Sequence, residues 1–265
     1  MRFASLGSGS EGNAWLVEVG TGVARTCVMV DCGFTIKETV VRLQRAGLTP
    51  GDIAALVVTH EHDDHIGGIF RFARRFGTPV WLTAGTWRVA CRNRWVDVDW
   101  LEQGRARLFD SHTPWSIGDL ELQPFPVPHD AAEPAQFVLS DGKRRLGLMT
   151  DCGMPTPHIV HMLSNCDALV LESNHDPSLL NCSMYPPSLK KRISSDYGHL
   201  SNDAACEILL HIDRGRLHTL VAAHLSKSTN APQLVKNSWT AALGGYEGSF
   251  LLADQAEGLY WQKIA

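Results

Sequence analysis

The chain has 265 residues, a length that suits one large α/β domain or two small ones. Its 44% content of hydrophobic residues is ordinary for a soluble globular protein, and no apolar run of about 18 residues predicts a membrane span. The net charge of −4 excludes the strong basic bias of many nucleic-acid-binding domains. Since the first residues lack the apolar core of a signal peptide, we expect a cytoplasmic protein.

Apolar and β-branched runs predict a strand-rich first part. The predicted strands there are 2–6, 14–19, 26–32, 53–60, 79–84, 106–110, 114–117, 120–127, 135–141 and 144–151. Helical spacing of apolar residues predicts helices in the same part at 35–46, 70–77 and 86–95.

The rest of the sequence mixes helices and strands. We predict helices near 156–164, 187–195 and 202–212, strands at 167–172 and 217–224, and a helix and two strands in the last 35 residues. Two strand-rich halves, each followed by helices, favour an α/β fold in which two sheets face each other with helices outside.

The charged and sulfur-containing residues outside any motif suggest no site of their own. The seven cysteines are odd in number and have no CxxC pair, which indicates reduced thiols and makes a cysteine-built zinc site unlikely. Arginines and lysines form four short clusters that are more typical of solvated surfaces than of binding sites. These clusters lie at 71–75, 88–94, 143–145 and 190–192.

Residues 7–12, GSGSEG, match the GxGxxG pattern of dinucleotide-binding loops, and Asp31 follows at about the expected distance. That pattern must open a helix whose N-terminus faces the pyrophosphate. Here the following residues read as a strand, with apolar Trp15, Val17 and Val19 in alternation. We therefore interpret the glycines as a hairpin turn and reject a dinucleotide site.

The densest polar segment, HEHDDH at residues 60–65, follows a predicted buried strand. Imidazole and carboxylate groups packed this closely are costly unless they are paired or bind a metal, and both groups suit zinc, iron and manganese. His60 and His65 are five residues apart with His62 between them, so the spacing differs from the i, i+4 pair of an HExxH helix. We expect a turn on which His60 and His62 reach one ion while Asp64 and His65 point to a second.

The longer segment VTHEHDDHIGG, residues 58–68, resembles the signature motif of the metallo-β-lactamase superfamily, and further matching positions follow in order along nearly the whole chain. The resemblance implies an α/β, four-layer αββα sandwich, a single domain over residues 1–265, and a centre of two divalent metal ions. The metal ligands that it implies are His60, His62, Asp64, His65, His129, Asp151 and His224.

Two aspartates have distinct roles in this resemblance. Asp31, in VMVDCG, matches the residue that steadies the metal loop from behind without being a ligand. Asp151, in GLMTDCG, matches the carboxylate that bridges both ions. True β-lactamases of the superfamily usually have cysteine at that position, and the neighbouring Cys152 is offset by one residue and should point elsewhere. The aspartate therefore favours the hydrolase and nuclease branches.

Three further segments resemble the YycJ/WalJ-type proteins, a bacterial branch near ribonuclease Z that is associated with 5′ to 3′ DNA exonuclease activity. They are SLGSGSEGN at 5–13, LESNHD at 171–176, and the pair GHLSN at 198–202 with AHLSK at 223–227. By this resemblance Glu172 orients His199, His199 meets the scissile phosphate or protonates the leaving oxygen, and His175 contributes to the same pocket. Ser201 or Asn202 would also cap the following helix.

The resemblance implies phosphodiester hydrolysis by a hydroxide shared between two ions, with Asp64 both a ligand and a proton acceptor. Zinc, manganese or iron suits the mixed nitrogen and oxygen donors, and DNA or RNA is the expected substrate. One alternative is hydrolysis of a small cyclic phosphodiester or another small ester at the same site. A second is a non-catalytic metal-binding protein with a regulatory role.

Overall fold

Fourteen β-strands form the centre of the structure, a computed structural model that describes residues 1–264. The strands are β1 (Arg2–Gly7), β2 (Ala14–Val19), β3 (Thr26–Val30), β4 (Ala55–Val57), β5 (Val80–Leu82), β6 (Ala106–Leu108), β7 (Trp115–Ile117), β8 (Leu120–Pro126), β9 (Ala135–Ser140), β10 (Arg145–Met149), β11 (Ala168–Glu172), β12 (Thr219–Ala223), β13 (Ser249–Leu252) and β14 (Leu259–Lys263). They pair into a first sheet of order β14-β1-β2-β3-β4-β5-β6 and a second sheet of order β13-β12-β11-β10-β9-β8-β7.

Helices connect many of the strands, and several of them cover the outer faces of the sheets. They are α1 (Ile36–Arg45), α2 (Asp63–Ile66), α3 (Ile69–Phe76), α4 (Ala84–Arg92), α5 (Pro157–Leu163), α6 (Pro177–Cys182), α7 (Pro187–Ile193), α8 (Asn202–His211) and α9 (Pro232–Leu243). The apolar side chains of α1, α3 and α4 pack on the first sheet, and those of α5, α8 and α9 pack on the second. Within residues 1–264, no helix has the length and hydropathy needed to span a membrane.

The alternation of side chains along the strands explains these layers. In β2, Trp15 and Val17 point into the core between the sheets, whereas Leu16 points outward to the helices. In β11, Val170 points into the core between the sheets, and Leu171 points outward to the helices. Because both faces of these strands are buried, their sequences are almost continuously apolar. The result is helix, sheet, sheet, helix, which confirms the predicted αββα sandwich.

The topology brings several strand ends to one edge of the sandwich. Strands β3 and β4 are parallel neighbours in the first sheet, and β10, β11 and β12 are parallel in the second. The carboxyl ends of parallel strands share an edge, where ligands and catalytic groups collect in α/β proteins. The candidate residues of the first sheet therefore lie opposite those of the second.

Two short helices differ from the predictions. The expectation of a turn over residues 60–65 is wrong in its second half, because Asp64 and His65 lie in α2, a single helical turn. Helix α6 was not predicted, although Asp176 caps it and Pro177 is its first residue. Both helices have six residues or fewer, too few for the apolar periodicity of a helix to be visible.

We expect Phe137→Ala to lower the free energy of unfolding by about 3–5 kcal/mol, because it leaves a cavity between the sheets. Phe137 is fully buried in β9, with its ring centroid 5.7 Å from that of Phe109. Urea titration measures the change, and Tyr260→Ala, at a side chain that is 75% exposed, is the control with an expected effect near zero. Equal midpoints for the two variants would contradict the assignment of this core.

Candidate metal centre

Three imidazoles converge in front of the loop that follows β4. His62 Nδ1 lies 3.0 Å from His60 Nε2 and 3.2 Å from His129 Nε2. One shared proton cannot form hydrogen bonds with all three of these ring nitrogens. Their spacing is close to that of nitrogen ligands with Zn–N bonds of about 2.0–2.1 Å in a tetrahedron. These three residues could therefore hold one divalent ion.

A second group of donors lies beside the first, on α2 and after β12. Asp64 Oδ2 is 3.5 Å from His65 Nε2 and 3.4 Å from His224 Nε2. Together these residues could hold a second ion. His60 and His65 also converge with Asp151, so the two groups adjoin each other.

Asp151, in the loop after β10, is a carboxylate that lies beside members of both groups. Its Oδ2 lies 3.0 Å from His65 Nε2, and its Oδ1 lies 3.9 Å from His129 Nε2 and 3.5 Å from His224 Nδ1. The residue is 1% exposed, and among residues 1–264 its Oδ2 has no partner with hydrogen-bond geometry. A buried carboxylate oxygen without a hydrogen bond is costly, and a divalent cation would satisfy it. The donor set therefore fits a pair of metal ions.

The charges of this cluster are strongly coupled. Burial opposes ionisation of Asp151, but the charges of His224 and His65 outweigh it and hold the pKa of Asp151 well below its ordinary value. Burial likewise opposes protonation of His224, yet the Asp151 charge raises the pKa of His224 to about 10. For His60 burial prevails and its pKa is well below the ordinary value. Protons on the imidazoles thus neutralise part of the carboxylate charge. Bound metal ions would neutralise the same charge.

Asp31 contacts both the loop that follows β4 and the His65 ring through its buried carboxylate. Its carboxylate accepts hydrogen bonds from Thr59 N at 2.9 Å and Thr59 Oγ1 at 2.8 Å, and it lies 2.7 Å from His65 Nδ1. A proton on His65 Nδ1 leaves Nε2 free to bind a metal. The backbone of Asp31 has a left-handed φ of 62°, which is rare for a residue with a side chain.

The hairpin loop between β1 and β2 reaches the same cluster. Ser8 Oγ accepts a hydrogen bond from His224 N at 2.9 Å, and Asn13 Nδ2 lies 3.3 Å from Asp64 Oδ2. From the other sheet, Asn174 Nδ2 donates to His224 O at 3.0 Å. The turn is predicted from the sequence, whereas a role for these three residues is not. Their only signal was their place in the segments 5–13 and 171–176 that resemble YycJ/WalJ-type proteins.

Glu172 and His199 form a pair beside the metal cluster, and with Asp151 and His224 they make up a fourth group of adjoining donor atoms. Glu172 Oε1 lies 2.8 Å from His199 Nδ1 and 3.2 Å from His224 Nδ1, and its Oε2 accepts hydrogen bonds from the backbone N–H groups of Cys152 and Leu200. Burial opposes protonation of His199, but the Glu172 charge raises the pKa of His199. His199 lines a cavity of about 390 Å³ together with Asp64, Asp151 and His224.

Two neighbouring residues lie apart from this cluster. Cys152 Sγ donates to Met154 O, and its side chain is buried in the core outside the second sheet, so it points away as predicted. His175 is buried and, among residues 1–264, its Nδ1 has no hydrogen-bond partner. The structure brings His175 near the site through its backbone, whose carbonyl accepts from Asn202 N, but not into any of the four donor groups.

We expect Asp31→Asn to weaken metal binding by about 10- to 100-fold. The amide would donate to His65 Nδ1 and so favour the tautomer whose Nε2 carries the proton. Isothermal titration calorimetry with the metal ion measures the affinity. The control is Asp110→Asn, which changes an exposed carboxylate outside the cluster. An unchanged affinity in Asp31→Asn would refute this role.

Comparison with known proteins agrees with this geometry. Residues 26–224 match the family described as the Beta-lactamase superfamily domain. The chain is 32% identical to the Exodeoxyribonuclease YycJ of Bacillus anthracis over 92% of this chain and 89% of that protein. It is 29% identical to the Exodeoxyribonuclease WalJ of Streptococcus pneumoniae serotype 2 (strain D39) over 88% of this chain and 84% of that protein.

Among solved structures, Zn²⁺-bound PqqB from Methylobacterium extorquens has a TM-score of 0.73 to this chain over 100% of both chains. At 16% sequence identity, this likeness concerns the fold alone. The family match, the relatives and the cluster of imidazoles and carboxylates lead to one assignment. The chain belongs to the metallo-β-lactamase superfamily and is a metal-dependent hydrolase related to YycJ and WalJ.

Proposed function

We propose that the chain is a two-metal phosphodiesterase that degrades DNA as a 5′ to 3′ exonuclease. The observation that carries the proposal is the buried carboxylate of Asp151, which adjoins two separate groups of metal donors. The similarity to two proteins named exodeoxyribonucleases supports DNA as the substrate class.

The residues divide into two sets of ligands. His60, His62 and His129 would hold one ion, Asp64, His65 and His224 the other, and Asp151 both. Zinc, manganese and iron all suit these donors. Two bound divalent ions would supply a water of lowered pKa and would neutralise charge on the phosphate oxygens.

His199 is suited to act on the leaving group. Its Nδ1 lies 2.8 Å from Glu172 Oε1, so this carboxylate orients the ring and leaves Nε2 for the substrate. The ring lines the cavity beside Asp151. In this position His199 would donate a proton to the departing oxygen or a hydrogen bond to the phosphate. His175 has no role in this step, because it is not among the residues that line the cavity.

Arg192 lines the same cavity and carries a positive charge. Its guanidinium makes two contacts with the Asp130 carboxylate, Nε to Oδ2 at 2.5 Å and Nη2 to Oδ1 at 3.2 Å. Such a paired arrangement limits the motion of the guanidinium. We expect Arg192 to contact a non-bridging phosphate oxygen as the substrate enters.

The test is hydrolysis of 5′-labelled and 3′-labelled DNA, single-stranded and duplex, by protein loaded with manganese or zinc. We expect metal-dependent degradation that disappears in Asp151→Asn and persists in the control Asp110→Asn. The label pattern gives the polarity. Cleavage of small phosphodiesters without cleavage of DNA would replace this proposal with the small-substrate alternative, and no hydrolysis by metal-loaded protein would favour a regulatory role.

We expect His199→Gln to lower kcat on DNA by about 10²- to 10⁴-fold, the usual effect of losing a general acid, while metal content stays the same. Steady-state kinetics and elemental analysis measure the two quantities. His211→Gln, at an exposed imidazole of α8, is the matched control. Loss of metal in His199→Gln would make His199 a ligand and contradict its assignment to the leaving group.

A further inference from the structure

A second cavity of about 550 Å³ lies next to the metal centre, on the side of α3 and α4. Three arginines line it, together with Trp95, which is half-buried and packs partly against the core of the first sheet. Asp63 belongs to the walls of both this cavity and the one over the metal centre, so the two spaces meet at that residue. We call the space lined by Arg71, Arg74, Arg94 and Trp95 the arginine groove.

The charges in the arginine groove are largely unpaired. Among residues 1–264, neither Arg71 nor Arg94 forms a salt bridge, and Arg74 has only a contact of 3.9 Å with the exposed Asp97. With Asp63 on the shared wall, three positive charges therefore face one negative charge. A concave surface of this kind attracts anionic ligands.

The backbone at Arg94 adds an independent observation. Helix α4 ends in a Schellman motif, in which Arg94 N donates to Cys91 O and Trp95 N donates to Ala90 O. The residue after the helix cap in this motif is usually glycine, because its φ is positive. Arg94 holds that position at a φ of 57°. An arginine kept in an unfavourable backbone conformation, with its side chain in a cavity, points to a function for the guanidinium.

We propose that the arginine groove binds the sugar-phosphate backbone of a single DNA strand that leads to the metal centre. The proposal rests on the nuclease function and names the path of its substrate. Arginines contact the phosphates, and Trp95 offers a ring on which an unpaired base stacks. Since the bases of a duplex are already stacked on one another, the groove favours a single strand.

Neighbouring Arg75 provides a matched control. It lies on the same helix α3 and is also exposed, but it is not among the residues that line the groove, and its guanidinium lies over the Phe76 ring. Arg71→Glu and Arg75→Glu change the net charge of the protein equally. A difference in DNA affinity between these two variants therefore reflects binding in the groove and not the net charge of the protein.

Fluorescence anisotropy with a labelled oligothymidylate of about 20 nucleotides tests the proposal. The metal-loaded His199→Gln protein serves as background, so that the strand stays intact. We expect Arg71→Glu and Arg94→Gly each to lower the affinity by about 3- to 10-fold, and to reduce the slope of log K against log salt by about 0.7 per lost phosphate contact. Arg75→Glu should change neither. Equal losses of affinity in Arg71→Glu and Arg75→Glu would contradict DNA binding in the arginine groove. So would an unchanged affinity in both Arg71→Glu and Arg94→Gly.

Two further measurements distinguish a loss of DNA binding in the groove from misfolding and from a damaged active site. Arg94→Gly should leave the thermal unfolding midpoint unchanged or raise it, because glycine suits the positive φ, so weaker binding in a stable protein excludes misfolding. With the catalytic residues intact, Arg71→Glu should raise the KM for the oligonucleotide, whereas Arg75→Glu, outside the groove, should degrade it with the wild-type KM. If the wild-type protein binds the oligonucleotide but does not cut it, the nuclease function is refuted. The binding measurements on the groove variants can still be made in that case.

Discussion

Burial of negative charge at the meeting edge of the two sheets is the constraint on which the rest of the site depends. Asp31, Asp151 and Glu172 are each at most 1% exposed. An isolated carboxylate in this environment would cost several kcal/mol, so each one needs cationic or N–H partners in fixed positions. Imidazoles and backbone N–H groups supply them. Because metal ions would replace protons on some of these imidazoles, uptake of the ions should release protons.

The fold supplies the partners because strands of both sheets end at the same edge. Asp31 follows β3 and His65 follows β4, while Asp151, Glu172 and His224 stand at or just after the ends of β10, β11 and β12. Each of the two proposed ligand sets draws on both sheets, because His129 joins His60 and His62 and His224 joins Asp64 and His65. The residues between the sheets are apolar and tightly packed, and this core fixes the distance across which the donors meet.

Much of this arrangement could be predicted from sequence because local patterns carry it. Strands with two buried faces are visible as apolar runs, and HEHDDH at 60–65 is dense enough to identify a metal loop. The contacts of Ser8 with His224 could not be predicted, since 216 residues separate the two along the chain. The arginine groove was also missed, because composition could not reveal which arginines share a cavity. Arg74 and Arg75 are adjacent in sequence, yet only Arg74 lines it.

The contact between Ser8 and His224 has a consequence for how the protein folds. The first hairpin must close against a strand end made much later in the chain, so the donor set is complete only after both sheets have formed and docked. Contacts of such long sequence separation slow folding. A chain emerging from the ribosome would expose the imidazoles of residues 60–65 long before Asp151 and His224 exist. Metal retention by the proposed ligands would therefore report completed folding, and a chain interrupted before β12 would lack His224, the proposed ligand that follows this strand.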